Sequence, residues 1–139
     1  MYASQTDMLD RFGEREVIAL TDRSYSGVVD ATILNRTIAN ASTEIDAYLA
    51  SRYIIPLQPV PSLLVGITCD ITRYRLCGAG VATTDEIRDR YQDAIKLLEK
   101  INKGLLTLGG MPNGGGIAPV SSNTIQIVSA GTVFGRGQL

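Results

Sequence analysis

A chain of 139 residues, 45% of them apolar and 19% charged, has the length of one domain and the makeup of a folded, globular one. A net charge of −1 lacks the basic excess of a general nucleic-acid binder, while leaving room for a protein that encloses DNA without gripping it. The sequence contains no histidine, which excludes histidine-based triads, histidine zinc sites and histidine acid–base catalysis.

No apolar run approaches the roughly 20 residues that span a bilayer. Residues 1–7 lack the basic and then apolar blocks of a secretion signal, so the expectation is a protein made and kept in a cytoplasm, with no membrane partner. Cys69 and Cys77 fall in one expected helix, a separation of about 12 Å. A disulfide needs Cα atoms closer than about 7 Å, so both read as reduced thiols used as small apolar residues.

In chain order, Ser4 can cap a first short helix, with Asp7 adding negative charge to its first turn and Gly13 ending it. A second short helix over about 14–20 opens on Glu14 and Glu16 and carries Val17, Ile18 and Leu20. After a loop, Asp30 caps a long helix over about 31–52, in which Leu34, Ile38, Ala41, Ile45 and Leu49 make one apolar face. Pro56, Pro59 and Pro61 follow, and Pro61 suits the first position of a helix over about 61–77. That helix is apolar almost all round, which places it at the centre of the core, and Gly78 and Gly80 end it. Thr83 and Glu86 have the spacing of a capping box for a third long helix over about 84–104. Its inward face is Ile87, Tyr91, Ala94, Leu98 and Ile101; Glu86 with Arg90 and Glu99 with Lys103 are favourable pairs four residues apart, and Gly104 terminates it.

The character changes at 109–116, which reads Gly-Gly-Met-Pro-Asn-Gly-Gly-Gly, a linker composition. Thr124, Ile125, Gln126, Ile127 and Val128 then alternate as a short β-strand does, and Val133, Phe134, Arg136 and Leu139 punctuate the tail. A lone strand needs a partner for its backbone groups, and the edge of a sheet on another subunit or on a partner protein would supply one. These nine residues are therefore the candidate interface. The predicted fold is all-α: a bundle of three longer helices plus short N-terminal helices over 1–108, with a Gly-rich arm over 109–139.

Chemistry is sparse. Lys103-Gly104 and the glycine cluster stand in the wrong order for a P-loop, and the cluster lacks the strand and helix of a dinucleotide site. Two cysteines without further ligands make no metal site, and neither thiol has a histidine to activate it. Asp46 and Asp70 lie on helices expected to pack together, with Arg52, Arg73 and Arg75 close in sequence. They read as interface ion pairs or a solvated face rather than the carboxylate pair of a glycosidase. The expectation is that one of Arg73 and Arg75 reaches solvent while the other pairs with Asp70. Tyr48, Tyr53, Tyr74 and Tyr91 read as core or interface edges. No catalytic residue, metal or cofactor is expected.

Several blocks, in order, are familiar. They are Met1-Tyr2-Ala3-Ser4-Gln5-Thr6-Asp7-Met8 with Arg11-Phe12-Gly13, then Ala41-Ser42-Thr43-Glu44-Ile45-Asp46-Ala47-Tyr48-Leu49-Ala50-Ser51-Arg52-Tyr53 with Pro56-Leu57. Leu63-Leu64-Val65, Cys69-Asp70-Ile71-Thr72-Arg73-Tyr74-Arg75-Leu76 and Arg90-Tyr91-Gln92-Asp93-Ala94-Ile95-Lys96-Leu97-Leu98 continue the series. Together they resemble a family of head–tail connector, or head-completion, proteins of Mu-like phages and prophages. The resemblance covers about 1–108; over the tail only Val133-Phe134 and Arg136 match.

It implies a helical bundle that assembles beneath the portal vertex as a ring, with twelve-fold symmetry expected. The implied partners are further copies of the chain, the portal protein, neck or tail-completion proteins, and genomic DNA passing through the lumen without sequence-specific binding. The implied location is the virion neck, and the host cytoplasm during assembly. No functional residue is carried over.

Two other classes are distinguishable by charge and shape. A DNA-binding or regulatory module would gather Lys and Arg on one helix face, whereas this chain mixes signs along every helix. An enzyme, such as a nuclease or lysin accessory, would need a convergent polar pocket, and no set of residues names one. A tail-completion protein is the alternative within phage structural roles.

Overall fold

The computed structural model describes residues 1–78 and 81–108. Gly80, the expected linker and strand, and all nine candidate interface residues lie outside the described residues. The described part is helical, as the periodicity predicts: α1 (Gln5–Phe12), α2 (Glu14–Thr21), α3 (Ala31–Leu49), α4 (Ser62–Leu76) and α5 (Asp85–Asn102). Among the described residues no helix is long and apolar enough to cross a membrane.

The caps explain the boundaries. Ser4 Oγ accepts from Asp7 N at 3.2 Å and the Asp7 carboxylate accepts from Ser4 N at 2.8 Å, so Asp7 closes a reciprocal box. Gly13, at φ +86°, ends α1 and opens α2 in one residue, a turn that only glycine makes without strain. Asp30 caps α3 through Ile33 N at 3.0 Å.

Three expected boundaries shift. Helix α3 stops at Leu49 rather than near 52, because the carbonyl of Leu49 already accepts from both Arg52 N and Tyr53 N as the chain turns toward the prolines. Pro61 is the N-cap of α4 rather than its first residue, since its ψ of 142° is extended. Thr84, not Thr83, caps α5, accepting from Ile87 N at 3.2 Å. That one-residue shift removes Glu86 from the cap and frees it for Arg90 at 3.5 Å and Arg73 at 3.7 Å. Among the described residues the expected ion pair of Glu99 with Lys103 does not form, although Lys103 N donates to the Glu99 carbonyl at 2.9 Å.

Helix α4 packs against every other helix, the central place its all-round apolar pattern predicts. Its buried Thr68 and Thr72 hydroxyls donate back to the carbonyls of Leu64 and Thr68 at 2.6 and 2.7 Å, so they enter the core without orphaned polar groups. Two apolar clusters flank it. One joins α3, α4 and α5 through Ile45, Leu49, Leu64, Ile71, Leu98 and Ile101. The other joins α1 and α2 to α3 and α4 through Met8, Val17, Leu20, Leu34, Ile38 and Cys69.

Both ends of the described chain are fastened to the bundle. Tyr2 is buried, its N donates to Ser42 Oγ at 3.0 Å, and its hydroxyl bonds Asp46 and accepts from Leu57 N. Burial, with Asp46 as the next cause, pushes the Tyr2 phenol up to about 12. At the other end Arg52 Nε donates to the Asn102 carbonyl at 2.6 Å, and Leu108 is buried with its N 3.4 Å from Tyr53 Oη. Gly104 is needed twice: its φ is +80°, and a Cβ there would stand 2.8 Å from the Arg52 guanidinium.

Truncating the fully buried Ile71 to alanine should cost about 3 kcal/mol of stability. Leu105→Ala, at a residue 75% exposed, should stay within about 0.5 kcal/mol. Urea midpoints of the two variants check this, and equal losses would contradict the assignment of α4 to the centre.

Candidate interaction surfaces

The polar side chains of the described bundle mostly tie helices together. Arg73, only 8% exposed, makes a two-pronged contact with Glu16, at 2.5 Å from Nε and 3.1 Å from Nη2. Its guanidinium also lies 4.6 Å from the centre of the Phe12 ring. Arg75 donates to Glu44 at 2.9 Å from Nε, and Tyr91 Oη stands 3.4 Å from the same carboxylate. Neither arginine is in ion-pair contact with Asp70, contrary to the sequence expectation. Asp70 meets α5, where Arg90 Nη1 stands at 3.7 Å from its Oδ1, and Glu16 offers Arg73 two oxygens in fork geometry.

Asp46 and Asp70 take different partners, the first a tyrosine hydroxyl and the second an arginine. Burial pushes the Cys69 thiol up to about 12 and raises Cys77 as well, so burial disfavours the nucleophilic thiolate at both. Among the described residues no group of three or more histidine, cysteine, aspartate or glutamate side chains could hold a metal ion. Of the tyrosines, Tyr53 is buried in the core, and Tyr74 and Tyr91 stack with ring centres 4.0 Å apart.

Two surface features were not legible in the sequence. The first is a groove of about 250 Å³ between α4 and α5, closed on one side by Arg11 of α1. Leu63, Ile67, Ala94 and Leu97 give it an apolar floor, and Asp70, Arg90 and Asp93 give it a polar end. Gly66 allows this arrangement, because a Cβ there would stand 2.7 Å from Arg11 Nη2. Asp70 Oδ1 is shut off from solvent without a hydrogen-bond donor. Burial accordingly pushes the Asp70 carboxyl above its ordinary 3.8, against the opposing pull of Arg90, Arg11 and Arg73.

The second is the loop between α2 and α3. The Asp22 carboxylate accepts from Ser26 N at 2.8 Å and Gly27 N at 2.6 Å, which holds it below the usual carboxylate range. The loop so formed carries Tyr25 at φ 57°, 94% exposed, with Val28 three residues further on and 60% exposed. A bulky side chain in the left-handed region costs roughly 1–2 kcal/mol, which the turn around Asp22 must offset. Asp22→Ala should therefore speed amide exchange at Ser26 and Gly27 while leaving α3 protected; unchanged exchange would show that the carboxylate does not order the loop.

The folded protein holds the Asp70 proton to higher pH than the unfolded chain does. Wild type should thus lose stability relative to Asp70→Asn as pH rises from below 3.8 through the raised value toward neutrality. Urea midpoints across that range test it, and a gap independent of pH would mean that folding does not disfavour the charge.

Residues 2–125 match the family model described as "Bacteriophage Mu, Gp36". The chain is 33% identical over 138 residues to "Mu-like prophage FluMu protein gp36" of Haemophilus influenzae, covering 98% of this chain and 94% of that protein. It is 30% identical over 138 residues to "Gene product J" of Escherichia phage Mu, covering 99% of this chain and 96% of that protein. A match over most of the chain, with two phage and prophage relatives at nearly full length, places the chain in the Bacteriophage Mu Gp36 family.

Proposed function

We propose that this chain is a virion structural protein, a head–tail connector that assembles as a ring of copies under the portal and joins the DNA-filled head to the tail. The observation that carries the reading is a bundle in which four of the six ion pairs among the described residues run between helices: Arg73 to Glu16 and Glu86, Arg75 to Glu44, and Arg90 to Asp70. Its polar groups thus serve rigidity, and its role is structural rather than enzymatic. Such a bundle suits a body stacked heterologously around an axis, where each copy presents one surface to the neighbour on its left and another to the neighbour on its right. Membership in a family of Mu-like phage proteins supports the same reading.

The ring has twelve copies. Its partners are the portal protein above and the neck or tail-completion proteins below, and its place is the virion neck after assembly in the host cytoplasm. The mildly acidic balance of the chain lets genomic DNA slide through the lumen, since few phosphate contacts form that would hold it. The arm over 109–139 serves as the clasp to a neighbouring component.

Deleting 109–139 should abolish attachment to portal-bearing heads while the helical signal and thermal transition of residues 1–108 persist. Sedimentation of heads with the labelled truncated chain measures this, and normal attachment would reject the clasp. Locating the full chain by labelled antibody in electron micrographs of particles tests the role itself; a position away from the head–tail junction would reject the connector reading.

A further inference from the structure

Two uncharged stretches of the chain meet at one end of the bundle. Arg52 and Tyr53, just past α3, contact Asn102, Gly104 and Leu108 at and beyond the end of α5. From Tyr53 to Cys69 the sequence has no charged residue, and from Gly104 to Gly135 it has none either. Ile54 and Leu105 are the neighbours in sequence of Tyr53 and Gly104. At 66% and 75% exposure they are the two most exposed large aliphatic side chains among the described residues. Scattered singly, such side chains are ordinary; grouped at one end of a bundle, they mark a surface made for contact.

The chain itself continues from this end. Leu108 is buried there, its N 3.4 Å from Tyr53 Oη. Residues 109–116 are a glycine-rich tether, and the first aliphatic group after it is Ile117-Ala118-Pro119-Val120. A tether of that length has a root-mean-square span of about 16 Å and a limit of about 28 Å. It is long enough to turn the group back and short enough to hold it near. The resulting effective concentration is on the order of millimolar, which favours a chain's own segment over that of a second copy. Neither side has an ion to desolvate. Pro119 disfavours helix at Ala118, and on a chain with three residues per turn Ile117 and Val120 share one side, about 9 Å apart. The family match also runs past Leu108, to residue 125.

We infer that Ile117 and Val120 fold back onto Ile54 and Leu105 of the same chain and cover this end of the bundle. The inference is independent of the connector reading, and it leaves residues 121–139 for the clasp.

The test uses the full chain with the photo-reactive benzoylphenylalanine at position 118, between the two anchors, mixed with isotopically heavy full chain and irradiated. Trypsin separates residues 53–73 from 104–136. The expected product joins these two peptides within one chain, light to light, at or beside Ile54. Ile54→Asp and Leu105→Asp, both at exposed positions, should each lower its yield several-fold while the helical signal is unchanged. A segment that is tethered but not docked would react over many surfaces and ignore both substitutions. That result, a light-to-heavy product, a link elsewhere on the chain or no link overturns the inference.

Discussion

Four helices meet at one guanidinium. Arg73 belongs to α4, lies beside Phe12 of α1, is gripped by Glu16 of α2 and faces Glu86 of α5. A charge with so little exposure is tolerable only when its hydrogen-bonding edge is occupied, because removing an ion from water costs several kcal/mol. The short helices α1 and α2 are too brief to be stable alone. Their seat on α4 is set by this contact together with the apolar cluster around Met8, Val17 and Leu20. The N-terminal pair is thus a directed addition to the three-helix core.

A second tie closes the other side of α4. Arg75 holds Glu44 of α3, and the same carboxylate is approached by Tyr91 of α5, which stacks on Tyr74. Arg73 and Arg75 thus serve opposite flanks of one helix, the first drawing in α1, α2 and α5 and the second α3 and α5. These directional contacts fix the rotation of the helices about their axes, which apolar packing alone specifies loosely.

The repeating features of the fold were legible in the sequence. Spacings of three and four residues gave the inner face of α3, the circumferential apolar pattern gave the central place of α4, and Ser4, Asp30 and Gly13 marked helix ends by local chemistry alone. Features that need two distant segments were not legible. Nothing near Tyr2 announces Ser42, Asp46 and Leu57 as its partners, and nothing near Arg73 announces Glu16. The cap of α5 was misplaced by one residue because Thr83 and Thr84 offer the same hydroxyl, and only the backbone path decides between them. The groove was invisible for a related reason: it depends on Gly66 making room for Arg11, a contact between residues 55 positions apart. The candidate interface residues all lie beyond 108.

The anchoring of Leu108 sets a load path. The last described residue is sunk in the core and bonded to Tyr53, just past the end of α3, while Arg52 holds the end of α5 beside it. Tension applied to anything grasped further along the chain therefore enters at the junction of α3 and α5 and spreads into the larger apolar cluster. Helices α1 and α2 are seated mainly on the other cluster, so a tug on the tail end would enter the molecule away from them.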